Sequence, residues 1–269
     1  MTTSDILDGS FALLRRAPKT ILAFTAVFVI PAELLGAYVV RNVTAGADLI
    51  GAFETGDASL LAGDSSTSNA DTWVTIFASL APSLALVFVA AGLTRLVSAW
   101  HTGRELTFGE LVRGSRRYAA PLLGSWALVK LAEGVGFLFC VLPALAVMAW
   151  FLVTVPAIVA EDLGAVEGMR RSARLAGRRF WPVLGIGILS ALVATFFTYA
   201  IEAIPLFIVW VTGIEGYGWI VAGLTGGLTA LLTTPVVAGA AVLTYLDLRV
   251  RTEGLDLELD AVDAFAASP

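Results

Sequence analysis

Long apolar runs alternate with short polar segments along the chain. Six runs can cross a bilayer as helices, because a hydrocarbon core of about 30 Å needs about 20 apolar residues. They cover about residues 20–40, 73–100, 121–141, 143–160, 182–204 and 218–247. Little more than Pro143 separates the third run from the fourth, so we expect a tight hairpin or a re-entrant pair there. Pro31 and Pro235 lie inside runs and predict local kinks.

The composition agrees with a membrane protein. Of 269 residues, 58% are hydrophobic and 14% charged, and the mean hydropathy is +0.85, whereas soluble domains carry about 25% charged residues. The first run has 21 residues, longer than the apolar part of a signal peptide, so we expect no cleavable targeting segment. We predict an all-α, polytopic integral membrane protein whose residues 1–269 form one membrane domain.

The cations lie on one side of the predicted spans. Fifteen lysines and arginines lie on one side: fourteen in the segments before spans one, three and five and after spans two, four and six, and Arg95 near the end of span two, whereas the opposite segments hold only Arg41. The positive-inside rule then places both termini in the cytoplasm. We predict a multi-pass plasma-membrane protein with an acidic external loop over residues 41–72.

Three stretches place two arginines and a proline directly before a span. They are "RRAPKTILAFTAV" from Arg15, "RRYAAPLLGSWAL" from Arg116 and "RRFWPVLGIGIL" from Arg178. Each follows an amphipathic segment of the kind that lies in a membrane interface, and Thr107 with Glu110 predicts a capping box at the second.

We therefore predict three transmembrane hairpins, each preceded by an amphipathic interfacial helix. The proposed segments are an interfacial helix at 1–19, hairpin 1 at 20–100, helix and hairpin 2 at 105–160, helix and hairpin 3 at 164–247, and a cytoplasmic tail at 248–269. The alternative is that basic loops and prolines occur here without any repeat, as they do in many membrane proteins.

Nine arginines of these segments are candidates for binding lipid headgroups or a partner protein. Long cationic side chains reach the headgroup layer and are attracted to anionic lipid. The set is Arg15, Arg16, Arg116, Arg117, Arg170, Arg171, Arg174, Arg178 and Arg179.

Three ionisable residues lie deep inside predicted spans. At 1.5 Å per residue, Glu33 and Glu133 are roughly 20 and 18 Å from the start of their spans, and Lys130 is one turn from Glu133 on the same face. Charges at such depth face inward and are paired. They form either a proton or substrate site, or a self-satisfied Lys130–Glu133 pair with Glu33 beside a wet crevice.

Other chemistry finds little support in the sequence. His101 is the one histidine and Cys140 the one cysteine, and neither belongs to a cluster with metal-ligand spacing. No nucleophile–base arrangement stands out, and "GLTGG" predicts close helix packing through Gly223 and Gly227 rather than phosphate binding. We expect no cofactor, no metal and no nucleic-acid partner.

Two motifs resemble the glycerophosphoryl diester phosphodiesterase membrane-domain family of bacteria and archaea. They are "PAIVAEDLGAVEGMRRSARLAGRRFWPVLGI" and the tail "YLDLRVRTEGLDLEL", and "ILDGSFALLRRAP" is similar to actinobacterial members. The matching positions are Pro156, Glu161, Arg171, Ser172, Phe180, Tyr245, Asp247, Arg249, Arg251, Glu253, Gly254 and Asp256. The resemblance implies the membrane module alone, because the catalytic barrel of such proteins uses paired histidines and acidic metal ligands.

The favoured function is therefore a non-catalytic membrane scaffold or accessory module that binds anionic lipid or a partner protein, or forms a homo-oligomer. A transporter or lipid-handling protein that uses Glu33, Lys130 and Glu133 is the alternative. In the tail, Asp256, Glu258 and Asp260 either fold back onto the arginines of 170–178 or remain solvated.

Overall fold

The computed structural model describes residues 3–40, 69–139, 141–212 and 218–254, and within these ranges it contains ten helices and no strand. The helices are α1 (Thr3–Arg16), α2 (Pro18–Val40), α3 (Asn69–His101), α4 (Phe108–Arg117), α5 (Ala119–Phe139), α6 (Val141–Phe151), α7 (Thr154–Glu161), α8 (Ala165–Arg178), α9 (Phe180–Thr212) and α10 (Gly218–Glu253).

Six segments of these helices are long and apolar enough to cross a membrane. They are Pro18–Val39, Ile76–His101, Ala119–Phe139, Val141–Glu161, Phe180–Ile201 and Trp219–Glu253. Large apolar side chains point outward from them, with Leu138 85% and Trp181 77% exposed. A water-soluble surface does not carry so many such residues. The prediction of an all-helical chain with six helices long and apolar enough to span a membrane is confirmed in the described residues.

The last long helix, α10, lies at the centre of the bundle. It packs against α1, α2, α3 and α9, and α2 also packs against α3. A Cβ atom on Gly223 would lie 3.0 Å from Leu34 Cδ2, and one on Gly227 would lie 3.7 Å from Ile30 Cγ1. Both glycines therefore bring α10 close to α2, as small residues do between membrane helices, and this prediction from the sequence is confirmed.

The fourth span is broken into two helices, which the sequence analysis did not predict. The helix α6 ends at Phe151 and α7 begins at Thr154. Pro156 has no N–H to bond the carbonyl of Leu152, so the helix cannot run through this point with its ladder intact. Pro31 and Pro235, where kinks were predicted, lie within the helices α2 and α10, and the kinks stay a prediction.

The connection between α5 and α6 is tight. A Cβ atom on Gly136 would lie 3.0 Å from the backbone nitrogen of Ala144, so the two helix backbones approach closely at this glycine. Only Cys140 separates α5 from α6, and it lies outside the described residues.

Three helices, α1, α4 and α8, each stand directly before a span, and we call them the entry helices. One residue separates each from its span: Ala17, Tyr118 and Arg179 respectively. Prolines then occupy the first turn of the span, at positions 18, 121 and 182, where a missing N–H leaves no helical hydrogen bond unmade. The Arg-Arg-Pro pattern thus marks a change of helix direction.

The entry helix α8 makes its closest contact with α7 at Gly168. A Cβ atom there would collide with the fully buried side chain of Ile158, whereas a Cβ on Gly177 of the same helix meets nothing within 4 Å. We expect Gly168→Ala to lower the free energy of unfolding by about 1–3 kcal/mol through overpacking. Gly177→Ala is the matched control and should be neutral or stabilising by up to about 1 kcal/mol.

The measurement is unfolding of both variants in detergent micelles, followed by far-ultraviolet circular dichroism. Equal stabilities for the two variants would contradict the close α7–α8 contact.

Candidate functional site at the arginine-rich end

One end of the bundle gathers the entry helices and the arginines, and we call it the arginine-rich end. The guanidinium of Arg16, at the end of α1, lies 4.5 Å from the ring centroid of Trp100 near the end of α3. Arg117, at the end of α4, pairs with Asp162 just after α7 at 2.5 Å. These contacts bring residues that are far apart in sequence to the same end.

Arg171 of α8 is held between two carboxylates from two other helices. Its Nε donates to both oxygens of Glu161 at 2.9 Å. Its Nη2 donates to Glu253 Oε2 at 2.5 Å, and its Nη1 donates to Glu253 Oε1. The side chain is 16% exposed. This planar, two-sided arrangement uses the fork of donors that distinguishes arginine from lysine.

Two residues of α10 complete this network. Tyr245 is 1% exposed and its hydroxyl donates to Glu161 Oε1 at 2.7 Å. Arg249 Nε donates to Glu253 Oε2 at 3.2 Å and lies 3.9 Å from Glu161 Oε1. Two carboxylates therefore face two guanidiniums, and hydrogen bonding to Glu253 raises the pKa of Arg171 above its ordinary value. We call these five residues the ion network: Glu161, Arg171, Tyr245, Arg249 and Glu253.

A short turn brings Glu161 and Arg171 together. Asp162 has the left-handed backbone angle φ of 54°, and the amide of Leu163 bonds back to the carbonyl of Ile158 at 3.0 Å. This is a helix-terminating turn, after which α8 begins at Ala165. The buried hydroxyl of Ser172 donates to the carbonyl of Trp150 at 2.7 Å, so α8 is also pinned to the broken end of α6.

Consecutive arginines at this end have different surroundings. In the pair Arg15–Arg16 the second stacks on Trp100, and in Arg116–Arg117 the second pairs with Asp162. Their neighbours are exposed and form no ion pair with a described carboxylate. Because adjacent residues of a helix do not face the same way, one arginine contacts the bundle and the other points away.

The third pair follows the same division, whereas the fourth follows it only in its contacts, since Arg178 is exposed and Arg179 is half-buried. Arg171 belongs to the ion network while Arg170 is exposed, and Arg178 donates to the carbonyl of Thr252 at 3.3 Å while Arg179 makes no such contact among the described residues. Arg174 is exposed and donates weakly to the carbonyl of Arg170 at 3.4 Å. We call Arg15, Arg116, Arg170 and Arg179 the outward arginines.

Part of this site has a signal in the sequence that the sequence analysis did not use. Arg249 with Glu253 and Asp247 with Arg251 are pairs four residues apart on α10, as expected from helical geometry. The meeting of Glu161, Arg171 and Tyr245 spans three helices and had no local signal, although the family resemblance marked all three positions. Asp256 and the other tail acids lie outside the described residues. Whether they fold back onto the arginines of 170–178 therefore stays a prediction.

The intramembrane polar residues are only partly brought together. Lys130 Nζ donates to Glu133 Oε2 at 2.7 Å, and both side chains line a cavity of about 160 Å³ between α3, α5, α6, α7 and α10. The indole of Trp126 donates to Ser83 at 3.1 Å in its wall. Glu33 is half-buried on α2 and does not line this cavity.

The cap of the entry helix α4 forms in part as predicted. Glu110 Oε2 accepts from both the amide and the hydroxyl of Thr107 at 2.8 Å. The hydrogen bond from the Thr107 amide lowers the pKa of Glu110 below its ordinary value. The same device recurs at α8, where the amide of Gly164 donates to Glu167 at 3.3 Å. His101 is exposed at the end of α3, and the described residues contain no cluster that could hold a metal ion.

Comparisons with known proteins add one match. A family model described as a domain of unknown function, DUF7847, matches residues 131–248, which is less than half of the chain. The matched range includes Glu161, Arg171 and Tyr245 and ends just before Arg249. Comparison with curated proteins and with solved structures finds no match.

Removing Arg171 leaves two half-buried carboxylates with Arg249 as their one guanidinium in the network. We expect Arg171→Met to lower the free energy of unfolding by about 2 kcal/mol, less than the cost in a fully buried pair because the network is partly exposed. Arg171→Lys should fall between, since it keeps the charge and loses the two-sided hydrogen bonding.

Arg170→Met is the matched control, with the same chemical change on the neighbouring outward residue, and should change stability by less than about 0.5 kcal/mol. The measurement is unfolding by increasing sodium dodecyl sulfate in mixed micelles. If the substitutions at 170 and 171 had the same effect, the ion network would not stabilise the fold.

Proposed function

We propose that the protein is a non-catalytic membrane scaffold or accessory module that binds anionic lipid headgroups at its arginine-rich end. The division of each arginine pair carries this proposal. One member holds an entry helix to the bundle, and the other is left without a carboxylate among the described residues. Guanidiniums at the ends of membrane spans are attracted to anionic headgroups.

The arrangement of the entry helices supports the same proposal. Their buried positions, such as Ile6, Leu111 and Leu175, face the bundle, while three of the outward arginines are exposed and Arg179 is half-buried. We propose three hairpins, each preceded by an interfacial entry helix, with the arginine-rich end in the cytoplasm and the protein in the plasma membrane.

Membership of the glycerophosphoryl diester phosphodiesterase membrane-domain family is also a proposal. Its support is that five of the positions that carry the resemblance form the ion network. In this proposal the network fixes the shape of a membrane module that works beside other proteins, and the module itself performs no hydrolysis.

A second candidate is transport or lipid handling through the cavity beside Lys130 and Glu133. The observation in its favour is an ion pair that opens onto a cavity of about 160 Å³ within the spans. The pair satisfies itself at 2.7 Å, and Glu33 is absent from the cavity wall. Proton flux into liposomes that Glu133→Gln abolishes would favour this candidate over the scaffold.

Neutralising the outward arginines should remove lipid selectivity without unfolding the protein. We expect the fourfold variant Arg15→Gln, Arg116→Gln, Arg170→Gln and Arg179→Gln to lose most of its preference for phosphatidylglycerol over phosphatidylcholine, since each arginine near an anionic surface contributes about 1 kcal/mol. The measurement is the association of spin-labelled lipids with the protein in vesicles.

The matched control changes the same four positions to lysine, which keeps the charges and should keep the preference. An unchanged preference in the glutamine variant would refute lipid binding by these arginines. If the glutamine variant instead lost a co-purifying protein while its lipid preference stayed unchanged, the arginine-rich end would be a protein-binding surface.

The proposed orientation predicts the accessibility of introduced cysteines. In a Cys140→Ser background, Gly109→Cys on the open face of α4 should resist a membrane-impermeant maleimide in intact cells and react after lysis. Asp57→Cys in the predicted external loop is the control and should react in intact cells. The reverse labelling pattern would invert the orientation.

A further inference from the structure

A polar cavity at the arginine-rich end lies apart from the outward arginines and the ion network. It has a volume of about 290 Å³ and lies between the end of α3, the segment before α4, the start of α5 and the end of α7. This volume is near the lower end of small-ligand pockets, about 300 Å³. Its polar side chains include Arg95, Ser98, Thr102 and Arg104.

Arg95 is a half-buried cation without a carboxylate. It forms no ion pair with any described residue, and its Nε is buried without a hydrogen-bond partner. A charge that leaves water is costly unless it is paired. Arg171 and Arg249 of the ion network are also half-buried, and both lie beside Glu161 and Glu253, whereas no described carboxylate compensates Arg95.

A glycine of α4 leaves space for this guanidinium beside the helix backbone. A Cβ atom on Gly114 of α4 would collide with Cζ and both Nη atoms of Arg95. The guanidinium therefore lies directly against the backbone of α4, in space that glycine leaves open.

A turn after α3 brings the second cation to the same cavity. Gly103 has a φ of +68°, its amide bonds to Trp100 O at 3.1 Å, and the amide of Arg104 bonds to Ala99 O at 2.9 Å. This helix-ending motif needs a residue at positive φ, and it turns Arg104 back over the end of α3. Arg104 forms no ion pair with a described residue, although its charge contributes to lowering the pKa of Glu110.

From this geometry we infer that the cavity is a binding site for a phosphate group, held between the guanidiniums of Arg95 and Arg104. The guanidiniums supply the donors, because the hydroxyls of Ser98 and Thr102 already donate to carbonyls of α3. Arginine suits phosphate because its donors match two oxygens at once. The C-terminus of α3 opposes an anion with roughly half a negative charge, which the two guanidiniums outweigh. The inference does not depend on lipid binding by the outward arginines.

The phosphate can belong to a lipid headgroup or to a soluble phosphate ester. Arg95 lies six residues before His101 at the end of its span, about 9 Å along the helix, so the cavity is level with a headgroup layer. The experiment therefore uses two probes on delipidated protein in detergent: short-chain phosphatidic acid and inorganic phosphate, each titrated and followed by native mass spectrometry and by thermal shift.

We expect one phosphatidic acid per chain to remain bound at 0.5 M salt, because the half-buried charge of Arg95 is screened less than exposed charges. Arg95→Gln and Arg104→Gln should each weaken binding by roughly tenfold or more, as expected for loss of a charged hydrogen-bond donor. Arg113→Gln, an exposed arginine of α4 outside the cavity, is the matched control and should bind like the wild type.

If inorganic phosphate binds with the same pattern across the variants and phosphatidic acid does not, the site takes soluble phosphate esters. If neither probe binds, or if all three variants bind alike, the inference is wrong. Should Arg95→Gln fail to fold, Arg104→Gln decides, because Arg104 is exposed. The two proposals can fail separately. If only lipid binding by the outward arginines is wrong, the salt-sensitive lipid preference is absent, while phosphatidic acid still binds in this cavity at high salt.

Discussion

A carboxylate that leaves water at a membrane face needs a cation beside it, and this requirement organises the arginine-rich end. Glu161 and Glu253 are both half-buried, and each is bonded to Arg171. The acids come from α7 and α10 and the cation from α8, so satisfying the charges forces these three helices to meet. The hydroxyl of Tyr245, a buried side chain, donates to the carboxylate of Glu161. Apolar packing alone would hold α8 less specifically, because ridges of Leu and Ala permit several registers.

Helical geometry then explains why the arginines occur in pairs. Two adjacent helical residues point about 100° apart, so a helix lying on the bundle can direct one cation to its own fold and its neighbour to the surroundings. Arg16 on Trp100 and Arg117 on Asp162 illustrate the inner position. In each pair one arginine stabilises the entry helix and its neighbour supplies the outward charge. Substitutions at adjacent positions therefore change the two properties separately.

The sequence predicts the spans well and the sites poorly, for physical reasons. Apolar length and the positions of arginine report how each segment meets lipid and headgroups, and these are properties of the segment alone. The break before Pro156 was missed because the apolar content does not change there. What changes is the backbone, because Pro156 has no N–H to donate. The phosphate cavity was missed because Arg95 counts in sequence as one more cation near a span end. What distinguishes Arg95 is that its guanidinium packs against Gly114, a residue distant in sequence.

The ion network also sets an order of events during synthesis. Glu161 and Arg171 are ten residues apart and can pair as soon as α8 forms, whereas Glu253 follows Arg171 by 82 residues. At about 5–20 residues per second the ribosome takes roughly 4–16 s to supply it. During that interval the entry helix α8 is tethered by one carboxylate, with the fifth and sixth spans still to be inserted. Arg171 therefore gains its second carboxylate only after α10, the central helix of the bundle, has been synthesised.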